Sequence, residues 1–269
     1  MKSKPLPGLE IPGLNTQIIY EQPLSERVRS FLRIEHLFKQ VEHFINGTNE
    51  WENRQTLILL MEIVDFLARS DLKSELMKEL ERHANTLLAL DGSPGVDTSR
   101  LRKILDNLNS NIFTLRDSGC QPGQALRQDE FVTSVKQRIA IPGGTCNFDL
   151  PNYNFWLHRP PDERTNQLGL WLKDLLIIRN SIELCLQMIR NSTNPTNRQA
   201  ENGFYQQIIE SSVACQLIRG LLPAESLCFP EISGGKHRFT IRFLEQPKTS
   251  NRPVQSKSTV SFELHCCIL

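Results

Sequence analysis

The hydrophobic period of this chain changes once, and that change limits what it can fold into. Between about residues 25 and 191 apolar side chains recur every three or four positions, whereas in the last third they tend to alternate one by one. A period near 3.6 gathers side chains on one stripe of a helix, and a period of two gathers them on one face of a strand. The expected class is therefore α+β: an N-terminal-to-central helical domain plus a small antiparallel β-domain assembled from separate chain segments.

Capping residues divide the helical part. Ser25, followed by Glu26, opens a helix over 25–46 that Gly47 can end. On it Phe31, Ile34, Phe38, Val41 and Ile45 share one face, and Arg29, Arg33, His36, Gln40 and His43 line nearly the opposite one. Helices over 49–69, 71–90 and 98–117 follow Thr48, Ser70 and Asp97 as caps, and a shorter one fits 128–138. One long helix is expected over 162–191, where Trp171, Leu175, Ile178, Ile182, Leu186 and Ile189 are spaced by alternating steps of four and three. That spacing suits burial against other helices.

The strand pattern is clearest in HRFTIRF, where Phe239, Ile241 and Phe243 alternate with Arg238, Thr240 and Arg242. CQLIRGLLP and STVSFELHC read as further strands, and QIIY at 17–20 as a short one closed by Pro23. The expected organisation is a proline-rich arm over 1–15, a mainly helical domain from 16–138 and 160–200, and a mainly β-domain from 139–159 and 201–269.

A chain of 269 residues can bury roughly 75% of its unfolded surface, so it needs no metal or disulfide to be stable. The net charge of +1 argues against a nucleic-acid coat held by bulk positive potential, and no RNA-recognition motif is present. Charges interrupt the longest apolar runs, LILLMEIVDFLA and LWLKDLLII, so no membrane span is expected. With no signal segment either, an unexported soluble protein is expected, and the patterns at Asn46 and Asn191 should not be glycosylated. The 7 cysteines are irregularly spaced without a C-x-x-C pair, which signals neither a disulfide framework nor a zinc site. Free thiols and no cofactor are expected. The closing Cys266-Cys267-Ile268-Leu269 formally matches a prenylation box, but alternation through Phe262 and Leu264 reads as a terminal strand.

Residues 139–158, IAIPGGTCNFDLPNYNFWLH, collect a glycine pair, Cys146, Asp149 and His158. A cytosolic thiol-dependent hydrolase would use Cys146 as nucleophile and His158 as base, yet nothing in the spacing makes them meet. The glycines do not fit a phosphate loop, because PGGTC lacks the required lysine and its spacing. They read instead as a tight turn with strands on either side. Three basic clusters lie far apart in sequence: Arg29 with Arg33, Arg127 with Arg138, and Lys236 with Arg238 and Arg242. Arginine holds carboxylates bidentately, so these clusters, brought together, would make a pocket for an acidic peptide.

Five ordered blocks, IIYEQPLSERVRSFLRIEHLF, PGVDTSRL, IAIPGGTCNFDLPNYNFWLH, FPEISGGKHRFTIRF and FELHCC, resemble the ZapD family of bacterial cell-division proteins. The resemblance runs from about residue 17 to 267. It implies a cytoplasmic homodimer at midcell, with a helical domain and a β-domain and no catalysis of its own. It implies a partner, the C-terminal tail of the tubulin-like GTPase FtsZ, whose protofilaments such proteins cross-link into bundles. It also implies a basic pocket for that tail, in which the family's first-helix arginines match Arg29 and Arg33. Arg127, Arg138, His158, Lys236, Arg238 and Arg242 complete the expected binding set. Glu130 and Asn154 stand where a member of the family has a basic residue and a histidine.

Overall fold

The computed structural model describes residues 17–69, 71–210, 214–235 and 237–268. The expected arm over 1–15, the Ser70 cap and Lys236 lie outside the described residues. The chain divides into two compact units, one running from Glu26 to Ile189 and the other made of the described residues before and after it.

The first unit is helical: α1 (Glu26–Phe44), α2 (Glu50–Arg69), α3 (Leu72–Leu88), α4 (Thr98–Arg116), α5 (Gln124–Gln128), α6 (Glu130–Ile139), α7 (Pro151–Leu157), α8 (Pro161–Lys173) and α9 (Leu176–Arg190). The stripes read from the sequence are the buried ones. Phe31, Ile34, Phe38 and Val41 of α1 are buried, as are Trp171, Leu175, Ile178, Ile182, Leu186 and Ile189. Each such side chain contributes about 1.5–3 kcal/mol by leaving water. Asp97 caps α4 as expected, accepting from the Ser99 and Arg100 amides. The cap of α2 is Asn49 rather than Thr48: its Oδ1 accepts from the Trp51 and Glu52 amides at 3.0 and 2.9 Å.

Two expectations fail here. The long helix over 162–191 is two helices, broken at Asp174 and Leu175. There the Leu175 amide bonds the Leu172 carbonyl and the Ile178 amide bonds the Leu175 carbonyl, three residues back instead of four. Leu175 stays buried through the break, so the hydrophobic stripe continues and periodicity cannot register the interruption. The second correction concerns 139–159, which holds turns and α7 and no strand. Its glycine pair folds the chain back over the end of α6. Gly143 has φ +71°, and a Cβ on Gly144 would stand 2.4 Å from the Arg138 carbonyl oxygen, so only glycine fits this return. Pro151 then opens α7 with a backbone angle already suited to a helix.

The second unit is built from β1 (Gln17–Pro23), β2 (Thr196–Ala200), β3 (Phe204–Ile208), β4 (Cys215–Pro223), β5 (Cys228–Gly234), β6 (Arg238–Glu245), β7 (Val254–Gln255) and β8 (Val260–Ile268). All pairings are antiparallel, in one sheet ordered β1-β4-β8-β2 and another ordered β3-β6-β5, with β7 also on β6. Ile218, Leu222, Phe262 and Leu264 from the first sheet share a core with Phe239, Ile241 and Phe243 from the second, so the sheets pack face to face. β6 keeps the expected alternation, with its aromatic and isoleucine positions buried and Arg238 and Arg242 exposed. β1 pairs with β4 in the register Ile18↔Leu222, so QIIY and its sequel belong to the β unit rather than to the helices that follow.

Candidate functional site

Three helices of the helical unit bring aromatic rings together. Phe131 of α6, Trp156 of α7 and Trp171 of α8 lie with centroids 5.6 Å (Phe131–Trp156), 6.1 Å (Phe131–Trp171) and 6.3 Å (Trp156–Trp171) apart. These are normal spacings for offset and tilted ring pairs. Asp129 ties them to the backbone: Oδ1 accepts from the Val132 amide and caps α6, while Oδ2 accepts from Trp171 Nε1 at 3.2 Å. Arg164, only 5% exposed, donates through Nη1 to the Leu157 carbonyl and through Nη2 to the Thr48 carbonyl at 2.6 Å. One guanidinium thus joins α8, the end of α7 and the loop before α2. These residues, with Arg159, Glu163 and Gln167, line a cavity of about 270 Å³.

Exposed aromatic rings lie beside arginines on the same unit. Phe155 is 65% exposed with the Arg159 guanidinium 5.5 Å from its ring, and Arg159 also pairs with Glu163. Trp51 is 67% exposed with Arg54 6.0 Å from its ring centroid, and Arg54 donates to Thr145 Oγ1 at 3.3 Å. Burial pushes the neighbouring Tyr153 phenol up to about 12, against the opposing charge of Arg54. Exposed aromatics and arginines beside a small cavity of mixed aromatic and charged lining have the composition of protein-interface hot spots, where a partner's side chain is buried and its polar groups are met at the rim. Among the described residues Arg164 has no carboxylate within ion-pair distance and is held by two carbonyls, while Asp129 and Glu163 balance the two arginines of the cavity wall.

The expected site residues fall on both units. Arg29 and Arg33 lie one turn apart on α1; Arg29 donates to Glu26, and Arg33 is exposed with no ion-pair partner among the described residues. Arg138 ends α6, 3.9 Å from Asp149, and exposed His158 caps α7 with Nδ1 2.8 Å from the Asn154 carbonyl. Arg127 lines a different cavity, with Leu67, Lys73 and Cys120, and donates to the Pro122 carbonyl. Arg238 and Arg242 are exposed on β6 of the β unit, where Arg242 pairs with Glu231. Glu130 is exposed at the start of α6 and Asn154 is half-buried on α7. Sequence reasoning missed Phe131, Trp156, Trp171, Arg159 and Arg164. The available signal was FWLHR, two aromatics followed closely by arginine and bounded by prolines.

Other chemistry is weakly represented. No hydrogen bond joins Cys146 to His158 among the described residues, and no group of three His, Cys, Asp or Glu there could hold a metal ion. No described helix is long and apolar enough to cross a membrane. The most perturbed ionic cluster is internal to the helical unit. Burial raises the Glu79 carboxyl, but the Arg82 hydrogen bond and the charges of Arg82, His83 and Arg27 hold it below its ordinary value. His83, fully buried on the same helix, is pushed down to about 4 by desolvation. Its Nε2 lies 3.3 Å from Glu79 Oε1, out of line for a hydrogen bond. At neutral pH it is an uncharged imidazole. This cluster sits between packed helices and holds them together rather than facing a ligand.

The chain matches the model of the ZapD family, described as a cell division protein, over residues 32–242. It is 41% identical over 256 residues to the cell division protein ZapD of Methylococcus capsulatus, covering 95% of this chain and 100% of that relative. It is 38% identical to the protein of the same name from Coxiella burnetii, with 94% and 98% covered, and 37% identical to that from Azoarcus sp., with 94% and 100% covered. The α+β architecture expected from the resemblance is the one observed, and the relatives are named as division proteins rather than enzymes. The chain belongs to the ZapD family of cell division proteins.

Proposed function

We propose that this chain binds the C-terminal tail of FtsZ through its helical unit and, as a homodimer, cross-links FtsZ protofilaments into bundles at midcell, without catalysing a reaction. The observation that carries this reading is the aromatic cavity of Phe131, Trp156 and Trp171, edged by Arg159 and Arg164 and flanked by exposed Phe155. Such a site suits a short flexible segment that offers one apolar side chain and nearby carboxylates. Arg29, Arg33, Arg127, Arg138 and His158 are the proposed basic residues of the helical unit, and Lys236, Arg238 and Arg242 are proposed as separate contacts of the β unit.

A flexible tail loses conformational freedom on docking, so a single site is weak and, because it is charge-assisted, sensitive to salt. Two sites on one dimer then bridge neighbouring filaments, and the many tails along a filament multiply the avidity. The test is titration of a labelled FtsZ tail peptide, followed by fluorescence anisotropy. Trp156→Ala and the double variant Arg29→Glu with Arg33→Glu should each weaken binding about tenfold or more while the circular dichroism spectrum stays unchanged. Unaltered affinity in both variants would remove this surface from the mechanism.

A further inference from the structure

The two thiols near the β4–β8 pairing form a site of their own in the β unit. Cys266 on β8 is paired with Ile218, and Cys215 at the start of β4 is paired with Ile268; the register shifts between Cys215 and Leu217. The shift is a bulge, which re-aims side chains near a strand end. Both cysteines are half-buried and pack against the same core, and Cys215 lies opposite Ile268, two residues beyond Cys266 on the neighbouring strand; the Cys215 thiol donates to the Leu217 carbonyl at 3.8 Å.

Further polar groups converge on the Cys266 sulfur. Gln207 Nε2 donates to it at 4.0 Å, and Tyr205 fixes that amide by donating its hydroxyl to Gln207 Oε1 at 2.7 Å. Arg198 adds a positive charge. The neighbouring Cys215 thiol and this charge draw the Cys266 thiol below its ordinary value despite burial, and the nearby Cys266 sulfur, with burial, raises Cys215. Cys266 is thus the more acidic of the two thiols, and in a thiol pair the more acidic sulfur is the better placed to attack first.

We propose that Cys215 and Cys266 are a redox modification site, at which a hydroperoxide closes a reversible disulfide between β4 and β8. The Cys266 thiolate attacks the terminal peroxide oxygen; the O–O bond breaks, an alcohol or water leaves after taking up a proton, and Cys266 becomes a sulfenic acid. Cys215 then attacks the sulfenic sulfur as thiolate, forming the S–S bond and expelling the hydroxyl, which leaves as water with the Cys215 proton. The two thiols together lose two electrons and the peroxide gains them; a dithiol reverses the change by exchange.

The test treats the reduced full-length protein with hydrogen peroxide, blocks remaining thiols with an alkylating reagent, and maps every cysteine by peptide mass spectrometry. The expected result is a linked Cys215–Cys266 pair, with Cys146, which is exposed, still alkylated. In Cys215→Ser, Cys266 should accumulate as a sulfenic acid that a cyclic 1,3-diketone traps; in Cys266→Ser, Cys215 should stay reduced. Preferential oxidation of Cys146, a link between Cys266 and any other cysteine, or no diketone adduct in Cys215→Ser would overturn the proposal.

Discussion

The helical unit and the β unit hide different things inside. The helical unit encloses Glu79, His83, Asn53, Thr56 and Ser181 completely, and Arg164 almost completely. The β unit buries fewer polar residues, Gln216, Ser256 and His265, none of them completely, around a core of Phe239, Ile241 and Phe243. Helices bury a stripe about a third of their circumference wide, and a polar residue one position off that stripe is easily enclosed by a neighbouring helix. A two-layer sheet packing divides its residues more sharply, because each successive side chain points to the opposite face. The helical unit should therefore respond to charge and pH, and the β unit to lost volume.

The largest expected effect is on the Glu79 cluster. Glu79→Ala leaves Arg27 and Arg82 without their buried carboxylate, and because both arginines are about a third exposed the cost is about 3 kcal/mol, the low end for breaking a buried pair. Urea denaturation followed by helical signal should show this loss, and a change within the error of the method would mean that the charges are not truly enclosed. Phe239→Ala is the matching lesion in the β unit. It should cost about 3 kcal/mol by creating a cavity, with no dependence on pH.

Acid should separate the units next. The folded pKa of His83 lies at about 4, below its ordinary 6.5, so the unfolded chain takes up that proton first. Its share of stability is intact above about pH 6.5 and falls as the pH drops toward 4, by roughly 3 kcal/mol in all. Glu79, held low, gives way only at more acid pH, because its contribution is present above its ordinary 4.5 and is lost below it. Denaturation midpoints for wild type and His83→Gln between pH 7 and 4.5 check this: the variant should lose most of the slope. Equal slopes would place the acid sensitivity elsewhere. The smallest effect is Asn49→Ala, which removes the cap of α2 and should cost about 1 kcal/mol by thermal denaturation.

How much of this was legible in the sequence follows the same division. The stripes of α1, α8 and α9 and the alternation of β6 could be read because burial imposes a period on each element separately. The segment 139–159 misled because Ile139, Ile141, Phe148 and Phe155 resemble strand residues, whereas its conformation depends on Gly144 meeting the Arg138 carbonyl and on Pro151 opening a helix. The aromatic cavity was invisible for another reason. Its walls come from α6, α7 and α8, and no pattern within one element shows that three rings converge. Nothing in the sequence marks Glu79 and His83, four residues apart on α3, as buried.

The central claim is that the helical unit grips the FtsZ tail and that paired sites bundle filaments. Its most direct test is co-sedimentation of polymerised FtsZ with this protein at low centrifugal force, using full-length FtsZ, tail-deleted FtsZ, and the protein with Trp156→Ala. Bundles should pellet with wild-type protein and full-length FtsZ, vanish with tail-deleted FtsZ, and fall sharply with Trp156→Ala, whereas Arg238→Glu should lower pelleting only modestly and make it less dependent on salt. Equal pelleting with and without the tail would contradict the account.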